Sequence, residues 1–137
     1  MEAIDEGRRT SFGSVAELYD KARPTYPSKL FSDIVEFAAL DKDSVILEVG
    51  SGTGKATLSF AQFGIPIVAL EPSADMAKIL ARNTKDTQKI QLVCEKFEDT
   101  NFAPHSFDAL VSAQAFHWIP KDIAFVKAHE VLKPNGV

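Results

Sequence analysis

Short apolar runs alternate with helical stretches through most of the chain, and this alternation limits its fold more than any other feature. The runs "SVILEVG", "PIVALE" and "IQLVCE" are rich in β-branched residues, as expected for strands buried on both faces. Between them, "KATLSFAQFG" and "SADMAKILARN" have helical character. Gly64 is predicted to end the first of these helices, and Ser73 to cap the N-terminus of the second. Strands joined in this way form a parallel sheet through right-handed crossovers. The pattern therefore predicts an α/β fold with an open, mostly parallel sheet and helices on both faces.

The rest of the chain extends this pattern at both ends. "FDALVSA" (107–113) predicts a fourth strand and "PKDIAFVKAHEVL" (120–132) a helix, after which "KPNGV" leads towards a fifth strand. At the other end, "SKLFSDIVEFAAL" predicts an amphipathic helix that begins near Pro27 or Ser28. We predict one domain over 1–137, in which 1–40 form a helical cap and 41–137 the sheet-containing core.

The charge, the cysteine content and the N-terminal sequence limit the binding partners and the cellular location that this chain can have. The 15 basic and 19 acidic residues give a net charge of −4 with no long run of either sign, which disfavours a nucleic-acid-binding face. Cys94 is the only cysteine, so no internal disulfide and no cysteine-based zinc site is possible, and no metal site is predicted. The N-terminal "MEAIDEGRRT" lacks the apolar stretch of a signal peptide, and no apolar run reaches membrane-spanning length. These features predict a cytoplasmic protein without membrane association.

The glycine-rich stretch "LEVGSGTGKAT" (47–57) is the strongest candidate for a ligand-binding loop. It fails as a triphosphate-binding loop, because only three residues separate Gly50 from Gly54 and Ala56 stands where a hydroxyl should bind magnesium. It also departs from the dinucleotide fingerprint, because Lys55 replaces the third glycine, and we expect Lys55 simply to be solvated. An NAD-dependent oxidoreductase is therefore disfavoured.

Glu71 is the second candidate, since it ends the second predicted strand 21 residues after Gly50. A carboxylate at that strand end can accept hydrogen bonds from both hydroxyls of a ribose. Together the loop and Glu71 predict an adenosine-containing ligand, and the loop spacing argues against a pyrophosphate.

With these motifs the sequence resembles the class I S-adenosylmethionine-dependent methyltransferases. The matching stretches are "LEVGSGTG", "ALEPSADM", "FEDTNFAPHSFDALVSAQAFHWI" and "EVLKPNG", in the family's order. "AELYDKARPTYP" and "AQAFHWI" are similar to its small-molecule branch, which includes trans-aconitate methyltransferase-like proteins. The resemblance implies a Rossmann-like sheet of order 3-2-1-4, S-adenosylmethionine as the cofactor and a small-molecule methyl acceptor, with a carboxylate or hydroxyl favoured. It also implies that later strands are missing, so that the chain corresponds to the N-terminal part of the family's domain.

The resemblance further implies which residues bind the donor. Glu48 and the loop backbone would hold its methionine part, Glu71 its ribose, and residues after the second strand would flank its adenine. Lys96 stands where the family often has an acid near the adenine amino group, which leaves the Phe97 backbone or Glu98 as candidates. The predicted donor-binding residues are Glu48, Gly50, Ser51, Gly52, Gly54, Glu71, Pro72, Ser73, Met76, Phe97, Glu98, Ser112 and Gln114.

The acceptor would lie in the crevice between strands one and four, where the strand order reverses. "SAQAFHW" leaves strand four there, and it places Ser112, Gln114, His117 and Trp118 near the donor methyl group. His117 is the best candidate for a general base, which a hydroxyl acceptor needs and a carboxylate does not. His117 and Trp118 also have purely structural interpretations, as core or lid residues. Tyr19, Arg23 and Tyr26 could cover the site, with Arg23 either pairing with an acidic acceptor or tethering the cap.

Two further expectations concern the fourth strand and the protein class. With no later strand beside it, the fourth strand would leave backbone groups unpaired, which predicts self-association through that edge. Asp108 is expected to fix the turn into this strand. An active methyltransferase, or its donor-binding part, is the first interpretation of the chain. A catalytically inactive adenosine-binding or interaction module of the same fold is the second.

Overall fold

The computed structural model describes residues 17, 18, 20 and 25–137, and within 25–137 helices and strands alternate as predicted. No helix in these ranges is long and apolar enough to cross a bilayer. Short 3-10 helices cover Phe97–Asp99 and Phe116–Trp118. The elements are α1 (Ser28–Phe37), β1 (Ile46–Val49), α2 (Lys55–Ala61), β2 (Ile67–Leu70), α3 (Ala74–Thr84), β3 (Ile90–Val93), β4 (Ala109–Val111) and α4 (Lys121–Val131).

The four strands form one parallel sheet in the order β3-β2-β1-β4, which confirms the predicted fold class. Glu48 on β1 lies beside Ala69 on β2 and Val111 on β4. Every residue of β1 is buried, because this central strand has a neighbour on each side and helices over both faces. The carboxyl ends of β1, β2 and β4 consequently meet at one edge of the sheet.

Two apolar clusters pack on opposite faces of the sheet, as expected for helices on both sides. On one face, Phe31 of α1 meets Phe60 of α2 edge to face, at 4.9 Å between ring centroids, and Leu80 of α3 joins them. On the other face, Ala124 and Val131 of α4 belong to the second cluster. This second layer carries the residues that follow β3 and β4, and it therefore builds one end of the site described below.

The fourth strand is shorter than predicted, since Phe107 and Asp108 pair outside it. Phe107 forms an isolated parallel bridge with Leu132. The Asp108 carboxylate accepts hydrogen bonds from the Val45 amide (2.8 Å) and from Lys133 Nζ (3.0 Å). This agrees with the expected role of Asp108 at the start of the strand.

Part of the outer edge of β4 is occupied. The Val137 amide donates to the Asp108 carbonyl (3.1 Å), and the Leu110 amide donates to the Val137 carbonyl (2.8 Å). The expectation that this edge leaves its backbone groups unpaired is therefore wrong for these two groups, because the turn after α4 brings the chain back alongside β4.

The cap contacts the core through α1 and through charged residues that precede it. Lys55, at the start of α2, forms an ion pair with Asp20, with 3.7 Å between Lys55 Nζ and Asp20 Oδ1. Its side chain is only a quarter exposed, in contrast to the prediction of a solvated side chain. Glu17 forms an ion pair with Arg82 of α3 at 2.8 Å. Two of the predicted cap residues, Tyr19 and Arg23, lie outside the described residues.

Candidate functional site

The glycine-rich loop leaves β1 at the carboxyl edge of the sheet. Gly50 has a φ of +75°, and a Cβ there would lie 2.3 Å from the Cβ of Ala115, so only glycine fits. Gly52 also has a positive φ, but a Cβ there would meet no heavy atom within 4 Å. The first glycine therefore permits close backbone packing, whereas the second presents open backbone to the cleft beside it.

This difference predicts unequal effects of two alanine substitutions. Both Gly50→Ala and Gly52→Ala should lose stability through positive-φ strain of about 1 kcal/mol. Gly50→Ala adds an overlap with Ala115, for which about 2 kcal/mol more is expected. Urea unfolding of the two variants checks the difference, and equal losses would contradict the close packing of Gly50 on Ala115.

Glu71 joins the loop to the helix that follows β2. Its Oε1 accepts the Gly52 amide (2.9 Å) and its Oε2 accepts the Ser73 amide (2.7 Å), while only 7% of the residue is exposed. Ser73 in turn caps α3, where its hydroxyl accepts the Met76 amide at 3.3 Å, as predicted. The Glu71 carboxylate is therefore held in place between the glycine-rich loop and the start of α3.

Glu48 is buried on the opposite side of the loop. It is 3% exposed, and its Oε1 accepts a hydrogen bond from the Thr57 hydroxyl on α2. Burial raises the pKa of this carboxyl from 4.5 to about 7, against the lowering effect of the hydroxyl groups of Thr57 and Ser51. Its carboxyl lines a small pocket with Tyr26, Ser51 and Lys55.

The main cleft lies on the other side of Gly50 and Gly52, which border both it and the small pocket. Its walls come from the ends of β1, β2 and β4 and from the turn after β3. Its lining residues are Val49, Gly50, Gly52, Leu70, Glu71, Pro72, Ser73, Met76, Glu95, Phe97, Ala113, Gln114, Ala115, Trp118 and Ile119.

The turn after β3 contributes differently from what the sequence suggested. Phe97 lines the cleft and is 2% exposed, whereas Glu98 does not line it. The acid at this wall is Glu95, which the sequence reasoning missed. A signal was available, because Glu95 follows β3 much as Glu71 follows β2, and both are acids just beyond the carboxyl end of a parallel strand.

The residues after β4 divide between the cleft and the protein surface. Gln114 and Trp118 line the cleft, but the Ser112 hydroxyl donates to the Val49 carbonyl (2.8 Å) and links β4 to β1. His117 is exposed, stacks beside Trp118 with 4.7 Å between ring centroids, and is not among the cleft-lining residues. Direct catalysis by His117 thus stays a prediction without a geometric basis in this structure.

Gly54 and Tyr26 complete the set of predicted site residues in the described ranges. Gly54 has a φ of +99° at the start of α2 and packs against Leu80 of α3. Tyr26 borders the small pocket that contains Glu48 and stacks edge to face on Phe31, at 6.2 Å between ring centroids. Tyr26 is therefore placed on the cap side of the loop, away from the main cleft.

The sheet order, with the glycine-rich loop and the carboxylate after β2 at one edge, defines a Rossmann-like α/β domain. Sequence comparison identifies the family within that class: residues 47–137 match the profile described as "Methyltransferase domain", and the chain belongs to this family.

Curated relatives and solved structures agree with this assignment. An uncharacterised methyltransferase of Mycobacterium tuberculosis is 32% identical over 127 residues, which are 92% of this chain and 49% of the relative. A protein of Saccharomyces cerevisiae named "Probable S-adenosylmethionine-dependent methyltransferase" is 30% identical, over 86% of this chain and 42% of its own length. The chain thus spans about half the length of the curated relatives it matches.

Structural neighbours support the fold. A Methanococcus maripaludis protein superposes with a TM-score of 0.74 and 22% identity, and the match covers 99% of this chain and 63% of that one. The [4+2]-cyclase SpnF superposes with a TM-score of 0.72 and 24% identity, over 83% of this chain and 45% of the cyclase. A neighbour named for a different reaction shows that the fold alone does not determine the chemistry.

Proposed function

We propose that this chain binds S-adenosylmethionine in the main cleft and provides the donor half of a methyltransferase for a small-molecule acceptor. The observation that carries the proposal is the position of Glu71. Its carboxylate joins the Gly52 amide to the start of α3, and it borders the cleft at the carboxyl edge of the sheet. Ligands of open α/β sheets bind at this edge.

The residues present fit such a donor. Glu71 lines the cleft with a carboxylate, a group that can accept hydrogen bonds from ribose hydroxyls, while Met76 and Phe97 offer apolar surface for a planar base. On the other side of the loop, the carboxyl of Glu48 lines the small pocket and would face the ammonium group of a methionine part. Gly52 lies between these two regions with open space above its backbone, so one extended ligand could contact both.

The chemistry sets few demands on the protein. S-adenosylmethionine would supply a methyl group on its sulfonium, and an acceptor would take it by in-line attack on the methyl carbon as the C–S bond breaks, with S-adenosylhomocysteine as the leaving group. The chain would then orient the two molecules and exclude water, the roles open to Trp118 and Ile119 at the cleft wall. Tyr19, Arg23 and Tyr26 stay predicted acceptor residues, and of these Tyr26 borders the small pocket on the cap side of the loop.

We favour a carboxylate acceptor over a hydroxyl one. A hydroxyl must lose a proton and needs a general base, but a carboxylate does not. His117, the predicted base, is exposed and does not line the cleft. If a hydroxyl is the acceptor and His117 is its base, His117→Ala should reduce turnover by about 100-fold or more, the usual contribution of a general base.

Calorimetric titration of the chain with S-adenosylmethionine, S-adenosylhomocysteine and NAD tests the proposal. Saturable binding of the first two but not of NAD supports it, and a screen of small carboxylic acids and alcohols for methylated product should follow. A folded chain that binds S-adenosylhomocysteine but methylates nothing would favour the second interpretation, an inactive adenosine-binding module. A folded chain that binds neither donor nor product contradicts the proposed donor site.

We also propose that the isolated chain self-associates beyond β4. An apolar cavity there is lined by Leu30 and Phe37 of α1 and by Leu110 and Val111 of β4, and Phe37 is 80% exposed. A second copy that covers this region would bury this apolar surface.

Light scattering after size exclusion should therefore give a mass above the 15.0 kDa of one chain. Phe37→Glu should restore the monomer mass, because it places a charge in the buried interface. Phe63→Glu is the matched control, since Phe63 is exposed but does not line this cavity. A monomeric wild-type chain at high concentration would contradict self-association.

A further inference from the structure

The end of the cleft that we propose to hold the adenine is built by two walls from distant parts of the chain. Phe97, on the 3-10 helix after β3, forms one wall. Trp118 and Ile119, just before α4, form the other. Their separation depends on how α4 packs against the 3-10 helix at Phe97–Asp99, because α4 follows directly from the second wall.

Lys127 of α4 links these two parts. Its Nζ donates to the Glu98 carbonyl (3.2 Å) and to the Thr100 carbonyl (2.5 Å), the last groups of the turn that carries Phe97. Lysine side chains commonly bond such carbonyls at the end of a helix. The same ammonium lies 5.6 Å from the centre of the Phe97 ring, within the range of a cation–π contact.

The turn is fixed by a hydrogen bond of its own, so the contacts of Lys127 with its carbonyls also restrain the position of Phe97. The Thr100 hydroxyl donates to the Phe97 carbonyl (2.6 Å), and both residues are buried. Lys127 is half-buried, so its hydrogen bonds are partly shielded from competing water. It is also the residue of α4 that contacts both the ring and the backbone of this wall.

We infer that Lys127 is a positioning residue that fixes the Phe97 wall against α4 and thereby sets how closely the cleft fits the nucleobase. The inference rests on the proposed donor site and goes beyond it, because Lys127 does not line the cleft. It assigns selectivity for the base to a residue 30 positions away from Phe97 in the sequence.

The test compares S-adenosylhomocysteine with its analogue in which hypoxanthine replaces adenine. Lys127→Met keeps an apolar side chain of similar length over Phe97 but removes the ammonium. We expect it to weaken binding of the adenine ligand by about tenfold, because the turn that carries Phe97 loses both hydrogen bonds from Lys127, and to weaken binding of the analogue by less. The Kd of the analogue divided by the Kd of S-adenosylhomocysteine should therefore fall, which a general loss of stability would not cause.

Three controls and one optical signal sharpen the result. Lys127→Arg should restore the ratio, and Lys121→Met, at an exposed lysine of the same helix, should leave it unchanged. Lys127→Gln, which retains a single donor group, should give an intermediate ratio and serves if the methionine variant fails to fold. Trp118 is the only tryptophan, so its emission reports on the opposite wall without ligand, and we expect a red shift in Lys127→Met.

The outcomes separate this inference from the proposed function. If wild type binds S-adenosylhomocysteine and Lys127→Met shows the same ratio and the same emission, the positioning role is wrong and the donor site stands. Equal weakening of both ligands also overturns it, because Lys127 would then affect stability alone. If the folded wild-type chain binds neither ligand, both the proposed donor site and the positioning role of Lys127 are wrong.

Discussion

Glu71→Ala is expected to weaken binding of S-adenosylhomocysteine by about 100-fold or more. Hydrogen bonds to a charged group contribute about 1.5–3 kcal/mol each, and the alanine removes both of those offered to a ribose. It also removes the acceptor for the Gly52 and Ser73 amides, so the loop loses its link to α3. Calorimetry of wild type and variant measures the change.

Glu71→Gln distinguishes these two effects. The amide keeps one oxygen acceptor but presents an NH2 group to one of the two backbone amides, which cannot bond to it. We therefore expect an intermediate affinity together with a loss of stability. Glu98→Ala is the matched control, since Glu98 is an acid near the same edge that does not line the cleft. If Glu71→Ala binds the ligand as well as wild type, Glu71 does not hold the ribose.

Glu48→Gln is expected to make the folded chain more stable than wild type above neutral pH. Burial raises the pKa of the Glu48 carboxyl from 4.5 to about 7, so the folded state holds a proton that the unfolded state has lost between these values. The free energy of unfolding of wild type therefore falls as pH rises from about 4.5 to 7, by about 3 kcal/mol in total. The glutamine does not ionise and still accepts the Thr57 hydroxyl, so it avoids this loss.

Urea unfolding at several pH values between 5 and 8 checks this expectation. The two proteins should differ least at pH 5, and the advantage of the variant should reach its full size above pH 7. Glu130→Gln, at an exposed position, should follow the wild-type curve. Thr57→Val should extend the wild-type decline to higher pH, because the Thr57 hydroxyl favours the ionised carboxyl and its loss raises the pKa of Glu48 further. Parallel curves for Glu48→Gln and wild type would show that Glu48 ionises in the folded state as easily as in the unfolded one.

Local sequence predicted most of the fold, because its signals are short-range. Strands buried on both faces require continuous apolar runs, and the runs that contain β1, β2 and β3 were visible as such. The start of α1 after Pro27 and the cap of α3 by Ser73 follow from equally local chemistry. The length of β4 was overestimated, since the pairing of Phe107 with Leu132 depends on a segment that returns after α4.

The site was predicted less evenly. Glu71, Pro72, Ser73, Met76 and Phe97 line the cleft as expected for the donor site, since they lie at strand ends or on the first turn after one. Ser112 and His117 follow β4 in the same way but face elsewhere, one towards the Val49 carbonyl and one towards solvent. Residues that face the cleft and residues that face away from it can follow a strand at the same distance in sequence. Spacing alone therefore could not show which of them line the cleft.

The sequence by itself determined the order of strands and helices, the glycine-rich loop and the carboxylate that follows β2. Each of these depends on apolar periodicity, on glycine geometry or on a spacing of a few residues, which are properties of neighbours in the chain. Only the tertiary structure decided that Glu48 is buried against Thr57, that Glu95 rather than Glu98 borders the cleft, and that Lys127 reaches the Phe97 turn. These depend on which way a side chain points once distant segments pack together, and close packing across such distances is set by the whole fold.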